Sequence, residues 1–195
     1  SATLSVDAGF SHFTSQMGLQ EARTLQLDSP FDYPNQAMLV VPRYLPEPTD
    51  PRINQALLEL AIPLITANNG RCFFLFTSHR MLQWMAKALP ERINLPVLVQ
   101  GSTSKRILLE QFVALKHTVL LGTSSFWEGV DVRGDTLSCV IIDKLPFASP
   151  DEPLLQARSE DARLRGDDPF AKVQLPQAVI TLKQGVGRLI RDVSD

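Results

Sequence analysis

Cys72-Phe73-Phe74-Leu75-Phe76-Thr77-Ser78 is an apolar run that ends abruptly on two hydroxyl residues. An apolar segment this short, with no alternation, describes a strand covered on both faces, as strands of parallel sheets are. Ser78 is a candidate helix N-cap, and the helix it opens runs to Leu89, just before Pro90. The unit is thus a strand feeding a helix.

The same reading extends outward. Ala37-Met38-Leu39-Val40-Val41 (closed by Pro42), Val97-Leu98-Val99-Gln100, Thr118-Val119-Leu120-Leu121 and Leu137 to Ile142 are further predicted strands. Asn54 to Ala67 repeats Leu57, Leu58, Ala61, Leu64 and Ile65 at helical spacing and ends at Asn68-Asn69-Gly70, a C-cap signal. Ser104 to Leu115 places Leu108, Leu109 and Phe112 on one side of another helix. Strands alternating with helices make βαβ units with right-handed crossovers. The expected fold is α/β: three layers, a mostly parallel sheet of five or more strands, and helices on both faces.

Beyond Phe147 the texture changes. Residues 149–153 read as a loop, Leu154 to Arg165 as a charged, exposed helix, and Gly166-Asp167-Asp168-Pro169 as a break. A helical region follows from Phe170 through Pro176 into Gln177–Arg191. The stretch Pro42 to Pro51, with four prolines in ten residues, is a rigid surface connection.

Of 195 residues, 44% are hydrophobic and 21% charged, with a net charge of -2. This is the composition of an ordinary globular protein. It argues against a surface made wholly for nucleic acid, while leaving room for a local basic groove. No apolar run approaches the roughly 18 residues of a membrane span, and the first residues carry no signal-peptide pattern. Cys72 and Cys139 lie in apolar surroundings and read as buried, reduced thiols on neighbouring strands. The expected compartment is cytoplasmic.

Three segments carry chemistry. In Gln184-Gly185-Val186-Gly187-Arg188-Leu189-Ile190-Arg191, a helix puts Arg188 and Arg191 on one face, as a bidentate clamp for phosphate oxygens. Gly187 permits close approach and Gln184 can orient a water or read a phosphate; alternatively, the arginines merely pair with Asp192 or Asp195. In Leu121-Gly122-Thr123-Ser124-Ser125-Phe126-Trp127-Glu128-Gly129-Val130-Asp131, a hydroxyl-rich loop follows a strand at the edge where α/β sheets bind ligands. Thr123, Ser124 and Ser125 offer donors to phosphate, and Glu128 and Asp131 suit a ribose hydroxyl or an arginine; the alternative is an ordinary turn anchored by Trp127. Thr77 and Ser78 stand at a helix N-terminus, which attracts anions, although Ser78 also suffices as a plain cap.

In this order, with Ser1-Ala2-Thr3 at the start, these segments resemble the motifs of superfamily 2 helicases: motif III at Ser1-Ala2-Thr3, motif IV at Leu75 to Ser78, motif V at Gly122 to Asp131 and motif VI at Gln184 to Arg191. Ser125-Phe126-Trp127-Glu128-Gly129-Val130-Asp131, followed by Asp143-Lys144-Leu145-Pro146-Phe147, is narrower and resembles the XPD/DinG family, on its bacterial DinG-like side, over essentially the entire chain. The resemblance implies a second RecA-like motor domain of the P-loop NTPase type over residues 1–195, cut from a longer helicase, with residues 1–4 left from motif III.

ATP with Mg²⁺ would lie between this domain and a first RecA-like domain that also carries a 4Fe–4S cluster. By the same resemblance Arg191 is the arginine finger, Arg188 a second phosphate or coupling contact, and Gln184 a water or nucleotide contact. Glu128, Gly129, Asp131 and Gly187 face the nucleotide; Thr77, Ser78, Thr123 and Ser124 face single-stranded DNA; Ser1 and Thr3 couple the domains. Movement 5′ to 3′ and a role in DNA repair or replication, in a bacterial cytoplasm near the nucleoid, are implied too. The chain contains no G-x-x-x-x-G-K-S/T and no Asp-Glu-x-His, so alone it is expected not to hydrolyse ATP. Two other readings remain: a non-enzymatic nucleic-acid-binding domain of RecA shape, and a phosphate-binding α/β kinase or transferase. The latter would need a glycine-rich loop where Pro42-Arg43-Tyr44 follows the first predicted strand.

Overall fold

The computed structural model describes residues 4–6, 9–19, 21–123, 126, 132, 134–187 and 189. Its helices are α1 (Ser11–Met17), α2 (Tyr33–Gln36), α3 (Ile53–Ala67), α4 (His79–Ala88), α5 (Lys105–Leu115), α6 (Pro153–Leu164) and α7 (Leu175–Val186). Its strands are β1 (Cys72–Leu75), β2 (Val97–Val99), β3 (Val119–Gly122) and β4 (Cys139–Ile142). The chain divides into two compact units, one of residues 29–144 and 185–195, the other of residues 1–28 and 145–184.

The first unit holds a four-stranded sheet in the order β2-β3-β1-β4, parallel throughout. Alternate β1 side chains feed two cores. Cys72, Phe74 and Phe76 pack with Leu57, Leu58, Ala61 and Ile65 of α3 and Leu82 and Met85 of α4. Phe73 and Leu75 pack on the opposite face with Leu108 and Phe112 of α5. Every apolar residue from Cys72 to Phe76 is buried, which is why the run lacks polar alternation. Burying each large side chain contributes about 1.5–3 kcal/mol. Helices thus cover both faces, as expected.

Local signals end the elements where the sequence places them. Ser78 is extended and its hydroxyl accepts the Met81 N–H at 3.3 Å, while Ser104 does the same for Ile107 at 3.4 Å. Gly70 closes α3 with φ +76° and donates its N–H to Ile65 at 2.9 Å. A Cβ there would lie 2.6 Å from the Thr118 backbone nitrogen, so only glycine lets β1 start beside β3.

One predicted strand is absent. Ala37–Val41 is an unpaired, irregular stretch, with Met38 82% and Leu39 83% exposed. Among the described residues the sheet therefore has four strands rather than five or more. Apolar character makes a segment suitable for a sheet, but membership requires a neighbouring strand to take up its backbone groups; among the described residues no strand pairs with this segment, and its exposed backbone is left to water.

In the second unit, α6 is charged yet buries Leu155, Ser159 and Ala162 along one stripe, so it is amphipathic rather than simply exposed. A π-helical turn, Phe170–Gln174, supplies Val173 to the same small core, and the Phe147 and Phe170 rings lie 5.6 Å apart. The Lys183 ammonium donates to the Ser5 carbonyl at 2.7 Å, tying α7 to the start of the chain. No helix among the described residues is long and apolar enough to cross a membrane.

Candidate functional site

β1 and β3 are neighbours in the sheet, with Leu75 opposite Gly122. The chain leaving β1 enters α4, which packs on the α3 face. The chain leaving β3 turns the other way, and Phe126 is buried on the α5 face with Phe73 and Leu75. Two adjacent strands whose chains diverge to opposite faces open a crevice at their carboxyl ends, the switch point where open α/β sheets bind ligands. Thr77 and Ser78, half-buried, and Thr123, buried, follow these strands at the switch point.

Each threonine is held by one side chain from the neighbouring strand end. The Asp143 carboxylate, just past β4, accepts the Thr77 N–H at 3.0 Å and its hydroxyl at 3.3 Å. The Gln100 carbonyl oxygen, just past β2, accepts the Thr123 N–H at 2.6 Å and its hydroxyl at 3.1 Å. Both holders are themselves part of the sheet edge, since Asp143 donates its N–H to Leu75 at 3.1 Å and Gln100 to Leu121 at 2.9 Å. A backbone N–H can only donate, so the atom of Gln100 facing Thr123 is its oxygen. Both threonine hydroxyls spend their protons inward, and a phosphate arriving from outside meets lone pairs. Ser78 differs: its oxygen accepts the Met81 N–H, and its proton has no acceptor among the described residues. Among these residues it is the hydroxyl suited to donate to an anion.

Thr123 is 4% exposed and its carbonyl also accepts the Phe126 N–H at 2.8 Å, so the loop starts from a fully bonded residue. Phe126 leans on Gly122, where a Cβ would come within 2.9 Å of the ring's root. The Lys105 ammonium lies 5.4 Å from the Phe126 ring centroid and brings a cation to this edge. Burial pushes the Asp143 carboxyl above its usual range, opposed by the Thr77 N–H and by Lys144.

The structure thus brings together three residues named from the sequence, Thr77, Ser78 and Thr123. Gln184 is half-buried near the end of α7, and Gly187 is exposed just past it. Ser1, Thr3, Ser124, Glu128, Gly129, Asp131, Arg188 and Arg191 lie outside the described residues. In the sequence Asp143 stood out only as the start of the family motif at residues 143–147 and Gln100 only as the end of a predicted strand; neither received a site role, although a polar residue directly after an apolar strand was the available signal. Cys72 and Cys139 are register partners on β1 and β4, and burial raises the Cys72 thiol well above its usual range.

Comparison with known proteins agrees with this architecture. The chain is 61% identical over its full length to the ATP-dependent DNA helicase YoaA of Escherichia coli (strain K12), covering 31% of that protein. It is 42% identical to the ATP-dependent helicase DinG of Mycobacterium tuberculosis (strain ATCC 25618 / H37Rv), covering 30% of it. It is 37% identical to the 3'-5' exonuclease DinG of Bacillus subtilis (strain 168), covering 22% of it. The chain therefore spans less than a third of each of these relatives. The Helicase C-terminal domain family matches residues 61–195, which include β1–β4 and every segment after them. With its RecA-like parallel sheet and hydroxyl-lined switch point, the chain belongs to the helicase C-terminal domain family.

Proposed function

We propose that this chain is the second motor domain of an ATP-dependent DNA helicase that moves 5′ to 3′ and serves DNA repair or replication in a bacterial cytoplasm. The observation that carries this is the switch point between β1 and β3, with Thr77, Ser78 and Thr123 directly behind the two strands, in a chain of the helicase C-terminal family. A serine hydroxyl and unpaired N–H groups at a helix start bind a phosphodiester backbone without reading bases, as a motor on DNA requires.

In this reading Ser78 donates to a phosphate of single-stranded DNA, Ser124 adds a second hydroxyl, and Thr77 and Thr123 fix the loops. Gln184, Arg188 and Arg191 face ATP across a cleft to a first RecA-like domain, with Glu128, Gly129, Asp131 and Gly187 beside the nucleotide. Ser1 and Thr3 couple the two domains. Mg²⁺ and the 4Fe–4S cluster belong to the rest of the polypeptide. Among the described residues no group of three or more His, Cys, Asp or Glu could hold a metal, and two cysteines facing each other inside a sheet do not fit a four-cysteine cluster.

Two measurements on the full-length polypeptide test the proposal. Arg191→Ala and Arg191→Lys should each lower DNA-stimulated ATP hydrolysis by at least about a hundredfold, since arginine fingers contribute about 10³–10⁵ and lysine lacks the planar fork. Ser78→Ala should weaken single-stranded DNA binding and leave ATP binding intact. Near-normal hydrolysis in Arg191→Ala would remove the finger assignment, and undiminished DNA binding in Ser78→Ala would remove the DNA-facing role of the crevice.

A further inference from the structure

The four strand ends of the sheet are occupied, in spatial order, by Gln100, Thr123, Thr77 and Asp143. The inner two are threonines on the diverging strands. The outer two each reach one strand inward and take both the backbone N–H and the hydroxyl of the adjacent threonine. The arrangement is repeated with an amide at one end and a carboxylate at the other, and from partners 23 and 66 residues apart.

We propose that Gln100 and Asp143 are positioning residues for nucleic-acid binding, each fixing the first residue of a phosphate-facing loop through a two-point clamp on a threonine. This rests on the DNA-facing role of the crevice proposed above. A loop left to itself samples many backbone states at its first residue, and fixing one residue costs about 1–2 kcal/mol of conformational entropy. A clamp that takes the N–H and the hydroxyl together meets that cost before the ligand arrives, so more of the binding energy appears as affinity. The clamp on Thr77 also sets the angle at which Ser78 enters α4, and so the direction of the Ser78 hydroxyl. Neither Gln100 nor Asp143 needs to touch the ligand. Both clamps turn the threonine protons inward, so neither threonine hydroxyl offers its proton to a ligand, and beyond Thr77 the donor is the next residue, Ser78.

The test uses the full-length polypeptide with oligo(dT) as the probe. Gln100→Met and Asp143→Ala remove the acceptors; Gln100→Glu and Asp143→Asn keep at least one. Loss of one clamp should raise the DNA concentration for half-maximal ATPase stimulation about fivefold, the loss of about one net hydrogen bond. The turnover number at saturating DNA should stay within about twofold. Asp143→Asn should recover most of the affinity lost in Asp143→Ala, since it still accepts the Thr77 N–H. Gln100→Glu should keep the Thr123 amide resonance downfield where Gln100→Met loses it. An unchanged DNA midpoint in both acceptor-less variants, while Ser78→Ala binds DNA weakly, would overturn the positioning role alone. An unchanged midpoint in all of them, Ser78→Ala included, would overturn the DNA-facing role of the crevice as well. A fall in turnover and melting temperature with no shift in the midpoint would make both residues purely structural.

Discussion

Phe126 packs against Gly122 so closely that a Cβ on the glycine would lie 2.9 Å from both the Cβ and the Cγ of the phenylalanine. The last residue of β3 and the anchor of the loop behind it are thus one packed unit, with Phe126 itself buried in the α5-side core.

Gly122→Ala should therefore overpack this corner. The rigid ring root cannot swing aside without leaving the core, so the expected cost is about 1–3 kcal/mol. Urea denaturation of this chain, wild type against variant, measures it, and an unchanged midpoint would show that the loop yields freely.

The Asp143 carboxyl gives stability a pH dependence whose sign follows from its burial. Its pKa in the folded chain is raised above the ordinary 3.8, so the native state holds the proton more tightly than the unfolded state. Stability should fall as pH rises from about that ordinary value through the raised one. Asp143→Asn should flatten this component, so the stability difference between variant and wild type should itself change across the window. A difference independent of pH would remove the assignment.

Thr118 precedes β3 fully buried, and its hydroxyl has no hydrogen-bond partner among the described residues. Thr118→Val replaces the hydroxyl with a methyl of similar size and ends the cost of an unmet buried polar group, about 1–3 kcal/mol for a group of this kind. The variant should be at least as stable as wild type by thermal melt. A clear loss of stability would mean that the hydroxyl is satisfied in solution, for example by a water.

Apolar character and contribution to stability should part company between two segments. Phe112→Ala empties a fully buried site whose ring is tilted against Phe73 with centroids 4.8 Å apart, and should cost about 3–5 kcal/mol. Leu39→Asp, at an exposed and unpaired position, should stay within about 0.5 kcal/mol of wild type. Paired denaturation curves of the two variants decide it. A large loss in Leu39→Asp would mean that this segment joins the sheet in solution.

Elements whose cause is local were legible along the chain. Cys72–Phe76 announces a strand buried on both faces because no polar side chain interrupts it, and Ser78 and Ser104 announce helix starts because a capping hydroxyl acts within three residues. Ala37–Val41 shows the limit of this logic. Its composition resembles that of β1, yet it lies exposed, because membership of a sheet depends on a partner strand and composition does not name one.

The candidate site divides along the same line. Thr77, Ser78 and Thr123 could be named from the sequence because each follows an apolar strand directly, and the end of a strand is the open edge of such a sheet. That they share one crevice depends on β1 and β3 lying side by side with their chains leaving to opposite faces. The clamps formed by Gln100 and Asp143 depend on it further, because the strand order β2-β3-β1-β4 alone brings residue 100 to residue 123 and residue 143 to residue 77. The sequence by itself determined the layers, the caps and the chemical types at the strand ends, all consequences of short-range sterics and burial. Only the tertiary structure decided which strand ends are neighbours, because hydrogen bonds between distant residues exist only after the chain has chosen its order in the sheet.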